Sequence, residues 1–230
     1  MYIPLTFEGA LQKCLFASGG VEGFYISGNT QYAYHWFTGS GQFVVNKGSI
    51  DNVEIYVIGG GGGGGNRNTS VGAGGGGGGG VNYITNGRLF EGTYNISVGA
   101  GGDNQTTANS DGFNGVQSSF IGSNISLIAG GGGGGRGDTA SNGGTGGVPN
   151  GGVGGSGGTT SAGNGAVGLV ISIANPTVFL GFGCGGGGAE NAFSGVGSDF
   201  SCNDTTWGRG AGGSNDSDVG APWYGMGRVS

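Results

Sequence analysis

The chain of 230 residues carries 66 Gly but only 4 Pro, with no strict Gly-X-Y period, which excludes a collagen triple helix. Charged residues are only 9%, the net charge is −6, and the 7 Lys and Arg are scattered, so a nucleic-acid partner, which needs clustered basic groups, is not expected. With 3 Trp, 8 Tyr and 12 Phe the chain can bury a core, and it lacks the low-hydrophobicity, high-charge signature of disorder.

No stretch approaches the roughly 18–20 apolar residues of a membrane span. The opening Met1-Tyr-Ile-Pro-Leu-Thr-Phe-Glu-Gly has no basic region followed by an apolar run, so no secretory signal is expected there. Six Asn-X-Ser/Thr sequons (Asn68, Asn95, Asn104, Asn124, Asn203 and Asn215) are read as chance in a chain rich in Asn, Ser and Thr. The cysteines, Cys14, Cys184 and Cys202, are odd in number and lack metal spacing. Cys184 and Cys202 are placed to pair across a loop, and two free buried thiols are the equal alternative.

Residues 1–58 read as a compact antiparallel β region. Strands over 24–27 and 31–37 flank Gly28-Asn29-Thr30, a hairpin signal. Tyr32, Tyr34 and Trp36 then share one face, and Ala33, His35 and Phe37 the other. After Gly39-Ser40-Gly41 comes a short strand, 42–45, and Asn46-Lys47-Gly48-Ser49 signals a further turn. Over 50–58, Val53, Ile55 and Val57 alternate with Glu54, Tyr56 and Ile58, the period of a strand. That strand runs directly into seven glycines, 59–65.

A second run closes at Gly80. Val81-Asn-Tyr-Ile84 and the turn Thr85-Asn86-Gly87-Arg88 then predict another hairpin, continued by Tyr94, Ile96 and Val98. Residues 103–115 read as a polar loop, 118–121 and 124–129 as a strand pair, and 166–174 as a last strand. A helical period of 3.6 residues appears nowhere. The fold class is all-β: the N-terminal β region, then a glycine-rich domain over 59–174, then an extension over 175–230 with glycines and aromatics.

Ordering a glycine backbone costs about 1–2 kcal/mol per residue, and a net hydrogen bond returns only about 0.5–1.5 kcal/mol. One run alone therefore stays loose. Several together can order in the extended three-residue helix of the polyproline II type, which has no internal hydrogen bonds. With no side chains, such helices approach closely and exchange N–H···O=C bonds, which proline could not donate. Seven residues would span about 22 Å. The scaffold positions are Gly59, Gly62, Gly65, Gly74, Gly77, Gly80, Gly130, Gly133, Gly185 and Gly188, joined by the looser 151–158 segment. This polyglycine II bundle is favoured over a flexible linker, because strand-like apolar segments rather than polar sequence flank the runs.

In the extension, Phe193, Phe200, Asn203, Asp204, Trp207, Trp223 and Tyr224 are the candidate receptor-binding residues. Rigid rings spaced by small polar groups have the composition of binding loops. The equal alternative is that the rings cap the glycine bundle against water.

Catalytic motifs are absent. Gly-X-Gly-X-X-Gly matches arise from composition alone, without the strand–turn–helix unit and ribose-binding acid of a dinucleotide site, and no Gly-Lys-Ser/Thr phosphate loop occurs. His35, the sole histidine, lies mid-strand and reads as a packed or surface residue rather than a general base. Asp199, Asp204, Asp216 and Asp218 read as a solvated acidic loop rather than a Ca²⁺ site. Glu8, Glu22, Glu54, Glu91 and Glu190 are isolated, which speaks against paired-carboxylate glycan cleavage. Arg136-Gly137-Asp138 spells an integrin tripeptide, read here as chance. Neither enzyme activity nor a cofactor or metal is expected.

Tyr34-Ala-Tyr-His-Trp-Phe-Thr-Gly-Ser-Gly-Gln-Phe-Val-Val, followed by Val53-Glu-Ile-Tyr-Val-Ile-Gly-Gly-Gly-Gly, resembles the glycine-rich domain of bacteriophage tail-fibre and other virion surface proteins. Gly92-Thr-Tyr-Asn-Ile-Ser-Val-Gly-Ala-Gly-Gly, Gln117-Ser-Ser-Phe and Ile128-Ala-Gly-Gly-Gly-Gly extend the match over roughly 30–174. The resemblance implies strands around a polyglycine core and, as in the distal adhesins of T-even phages, variable loops as the receptor-binding surface. It carries no residue-level binding motif. Here 56 residues follow the last strand, where the family ends soon after it, and no long fibre shaft is present. The expected role is a virion surface fibre, spike or adhesin, assembled in the host cytoplasm. Its expected partners are other virion proteins and a bacterial surface glycan or outer-membrane protein, with a homotrimer as the common habit of such fibres. The expected binding loops are 66–70, 103–117, 136–150 and 189–224. A structural capsid decoration or head-fibre protein is the alternative.

Overall fold

The computed structural model describes residues 2–4, 17–27, 30–67, 72–137, 142–157, 166, 168–172, 179–182, 214–215 and 227–229. Thirteen strands run in the order β1 (Tyr2–Pro4), β2 (Ala17–Ser18), β3 (Val21–Ser27), β4 (Thr30–Phe37), β5 (Gly41–Ile58), β6 (Asn66–Arg67), β7 (Val81–Ser97), β8 (Ser118–Gly122), β9 (Ile125–Ala129), β10 (Leu169–Ser172), β11 (Phe179–Phe182), β12 (Ser214–Asn215) and β13 (Gly227–Val229). No helix occurs among the described residues. The main sheet is ordered β1-β4-β13-β5-β7-β8-β9, with β3 on β4 and β2 on β5. All its pairings are antiparallel. The short terminal strands lie end to end between β4 and β5: Tyr2 registers with Tyr34 and Glu54, and Val229 with His35 and Ile55.

The axis of the sheet is the long β5/β7 pair, and here two expectations are corrected. Asn46–Ser49 and Thr85–Arg88 signalled turns, yet β5 and β7 run through both without reversing. Their turn residues are absorbed as irregularities of register: β5 carries extra residues between Val45 and Ser49 and between Ile50 and Val53, and β7 between Ile84 and Gly87. Gly48 (φ 74°), Asn52 (φ 57°) and Asn86 (φ 59°) take the left-handed conformation there, which Gly and Asn tolerate best. Apolar residues on both sides of each signal face the same core, so a continuous ladder wins over a hairpin.

Phe37, Phe43, Val45, Ile50, Val53, Ile55, Val57, Leu89, Tyr94, Ile96 and Phe120 form that core, all 5% exposed or less. Tyr94 stacks on Phe120 with centroids 5.2 Å apart, and His35 meets Phe43 edge-on at 5.0 Å. The strand faces follow the alternation expected: Ala33, His35 and Phe37 are buried, while Tyr32, Tyr34 and Trp36 are half-buried.

Beyond the sheet, the strands continue as extended glycine segments. Residues 59–65 prolong β5, 74–80 lead into β7, 99–105 leave β7, 110–117 lead into β8, and 130–137 prolong β9. Segments 142–148 and 150–157 pack alongside. They bond at every third residue: Gly59, Gly62 and Gly65 donate to Gly80, Gly77 and Gly74 at 2.8–3.0 Å. Likewise Gly77 and Gly80 donate to Gly133 and Gly130, and Gly60 and Gly63 to Val116 and Phe113. Burial repeats with the same period, exposed, half-buried, buried, over Asn142-Gly143-Gly144 and again over Thr145-Gly146-Gly147. The stretches 103–117 and 136–150, expected as loops, are therefore mostly bundle segments with turns between them.

His35 supplies a pH prediction. Its Nδ1 lies 2.8 Å from the Gly19 carbonyl and 3.7 Å from Glu22 Oε1. Burial pushes the ring below its ordinary pKa of 6.5, against the raising effect of the Gly19 bond. The unfolded chain takes up a proton near the ordinary value while the folded ring resists, so stability is full above about pH 6.5 and falls below it. Urea midpoints at about pH 7.5 and about pH 5 are expected to drop more for the wild type than for His35→Gln. Equal drops would remove His35 from the account.

Candidate functional site

The bundle has two ends. At the sheet end, Val81 donates to the Pro149 carbonyl (2.6 Å), and Asn150 Nδ2 donates to the Val81 carbonyl (3.0 Å). These bonds tie the turn between 142–148 and 150–157 down. The far end gathers Asn66–Arg67, the turn 105–110 and Arg136–Gly137.

The far end is built by short polar side chains that satisfy backbone. Gln105 Oε1 accepts from the Thr106 and Thr107 amides at 3.0 and 2.9 Å, turning the chain back on itself. Asn109 takes a left-handed φ of 57° at that turn. Asn104 Oδ1 caps the Gly64 amide at 2.8 Å. Asp111 Oδ1 accepts from the Gly137 amide at 2.9 Å, and its Oδ2 lies 4.0 Å from Arg136 Nε. Asn66 and Ser110 exchange both backbone bonds, at 3.0 and 3.1 Å. Asn66 is 9% exposed, and its side-chain oxygen has no hydrogen-bond partner. β12 pairs in parallel with β6, setting Ser214 beside Asn66 and Asn215 beside Arg67. Parts of three expected binding loops, 66–70, 103–117 and 136–150, thus meet at one end together with Ser214–Asn215 from the stretch 189–224.

Phe193, Phe200, Asn203, Asp204, Trp207, Trp223 and Tyr224 lie outside the described residues, as do Gly185, Gly188, Cys14, Cys184, Cys202 and Asp138. Among the described residues, no three His, Cys, Asp or Glu side chains group to hold a metal. No helix is long and apolar enough to cross a membrane. A shallow cleft of about 210 Å³ by Val21, Trp36, Thr38 and Gln42 is smaller than the usual small-molecule cavity.

Sequence reasoning missed the segments 99–105, 110–117, 142–148 and 150–157 because they are not pure glycine. Their signal was present as side chains at three-residue intervals: Ala100 and Asp103, Phe113 and Val116, Thr145 and Val148, and Val153 and Ser156 are all exposed. The glycines between them face inward.

Geometry and composition together define an all-β protein in which a twisted sheet is prolonged into a glycine-segment scaffold. The model of the glycine-rich domain family matches residues 37–229, and the chain belongs to that family. No curated protein matches it.

Proposed function

We propose that this chain is a bacteriophage virion surface protein, a fibre, spike or fibre-tip adhesin, that binds a bacterial surface receptor through loops on a polyglycine II scaffold. The three-residue period of both bonding and burial supports helices of that type, which have three residues per turn and no internal hydrogen bonds. The observation that carries the reading is the convergence of polar turns at the end of the bundle away from the sheet. A scaffold held by backbone alone leaves the turns free to vary.

In this reading the sheet side joins other virion proteins, and the far turns meet a surface glycan or an outer-membrane protein. The protein binds rather than catalyses, and needs no cofactor. The aromatics of 189–224 add stacking area for sugars or loops. The test is binding of the purified, labelled protein to a panel of intact bacterial cells, with and without competing surface polysaccharide. Saturable binding to a narrow set of strains is expected. No binding to any strain, the producing host included, would replace this reading with a structural capsid decoration or head-fibre protein.

A further inference from the structure

The three pure glycine runs are not equally covered. Every residue of 59–65 and of 74–80 is buried, whereas in 130–135 only Gly132 and Gly135 are; Gly130, Gly131, Gly133 and Gly134 are half-buried. The inward side is fully engaged, with Gly132 and Gly135 donating to Gly60 and Gly63 at 2.8 and 2.9 Å. The outward side is not. Among the described residues Gly131 makes no hydrogen bond, and Gly134 makes only one, from its amide to Asn114 Oδ1 at 2.8 Å.

Packing within one chain does not account for all of these glycines. A Cβ at Gly132 or Gly135 would land on the carbonyl oxygen of Gly77 or Gly74. At Gly130 the nearest atom would be the Val148 oxygen at 3.2 Å, and at Gly133 the Thr145 Oγ1 at 2.7 Å, a hydroxyl that can turn away. Room of this kind is used elsewhere in the bundle: Thr145, Val148 and Val153 carry exposed side chains. Bare backbone where a side chain nearly fits points to another backbone approaching from outside.

We propose that the open side of 130–135 is an interface between two copies of this chain. The floor is peptide groups repeating at about 9 Å, three residues of an extended helix, between Asn114 on one wall and Thr145 and Val148 on the other. A strand bearing side chains cannot descend between those walls to reach the floor. A second copy brings an identical glycine run, and a two-fold axis makes the surface self-complementary. The free amide of Gly131 then faces the free carbonyls of the partner's run, and Val148, 77% exposed in one chain, is covered. The contact is independent of whatever the far turns bind.

The test is sedimentation velocity of the full chain over a dilution series, beside Thr145→Arg/Val148→Arg. Both positions are exposed, and the variant sets arginines of the two copies against each other. The wild type is expected to be a dimer, and the variant a monomer with unchanged circular dichroism and melting temperature. Should the double variant misfold, amide exchange of the wild type decides the matter: 130–135 is expected to exchange faster on dilution. A wild-type monomer at every concentration, a dimer that survives the double substitution, or exchange at 130–135 indifferent to dilution overturns the proposal.

Discussion

Gly77→Ala is expected to destabilise the protein by about 3–6 kcal/mol, a large share of the roughly 5–15 kcal/mol that holds a domain folded. Gly77 lies in the middle of the innermost packing. It donates to Gly133 and accepts from Gly62, both at 2.8 Å. The added methyl would lie closer than 3.0 Å to the Thr145 carbonyl oxygen and carbon and to the Gly144 oxygen. These are backbone atoms that cannot swing aside, so the helices must separate. Overpacking costs about 1–3 kcal/mol, and each buried backbone group left without a partner about 1–3 kcal/mol more. Val153→Ala, at an exposed position of a neighbouring segment, is the control and should stay within about 0.5 kcal/mol of wild type. Urea denaturation followed by circular dichroism measures both. If the two variants unfold together, the segments are not packed at backbone contact, and the scaffold argument fails.

The second large effect lies in the sheet. Tyr94 is fully buried, stacks on Phe120, and its hydroxyl accepts from the Phe90 amide at 2.8 Å. The Phe90 carbonyl and Asn124 Oδ1 lie 2.9 and 2.8 Å from the same oxygen. Tyr94→Ala removes both ring and hydroxyl and is expected to cost about 3–5 kcal/mol, as for other large-to-small core changes. Tyr94→Phe keeps the ring but leaves the Phe90 amide without its acceptor, for about 1–3 kcal/mol. Denaturation curves of the pair separate packing from hydrogen bonding. Equal losses would mean that the hydroxyl network, and not the ring, holds β7 to the β8–β9 turn.

How much of this was legible depended on which period was sought. The two-residue alternation of Ala33, His35 and Phe37, and of Val53, Ile55 and Val57, was plain in the sequence, because one face of each strand had to be apolar. The turn signals at Gly48 and Asn86 misled because a left-handed residue serves a bulge as well as a hairpin; only the long partner strand decides between them. Pure glycine runs were visible as packing elements, and the mixed segments were not. Phe113 and Val116 looked like loop residues because their spacing of three belongs to neither helix nor strand. At the far end, nothing local in the sequence foretells that Asn66 pairs with Ser110 or lies beside Ser214, since those contacts join stretches far apart in the chain.

The Gly-Gly-X pattern of the outer segments divides the gene into two kinds of codon. In 59–65 and 74–80 every amino-acid replacement adds at least a Cβ, so these runs admit no conservative missense change. At Thr145, Val148, Val153 and Ser156 any residue can stand, because the position faces water. Mutation is thus silent or ruinous in the interior and nearly free one residue in three outside. A lineage carrying this chain can rewrite the chemistry of its outer ridges without touching a single bond of the frame.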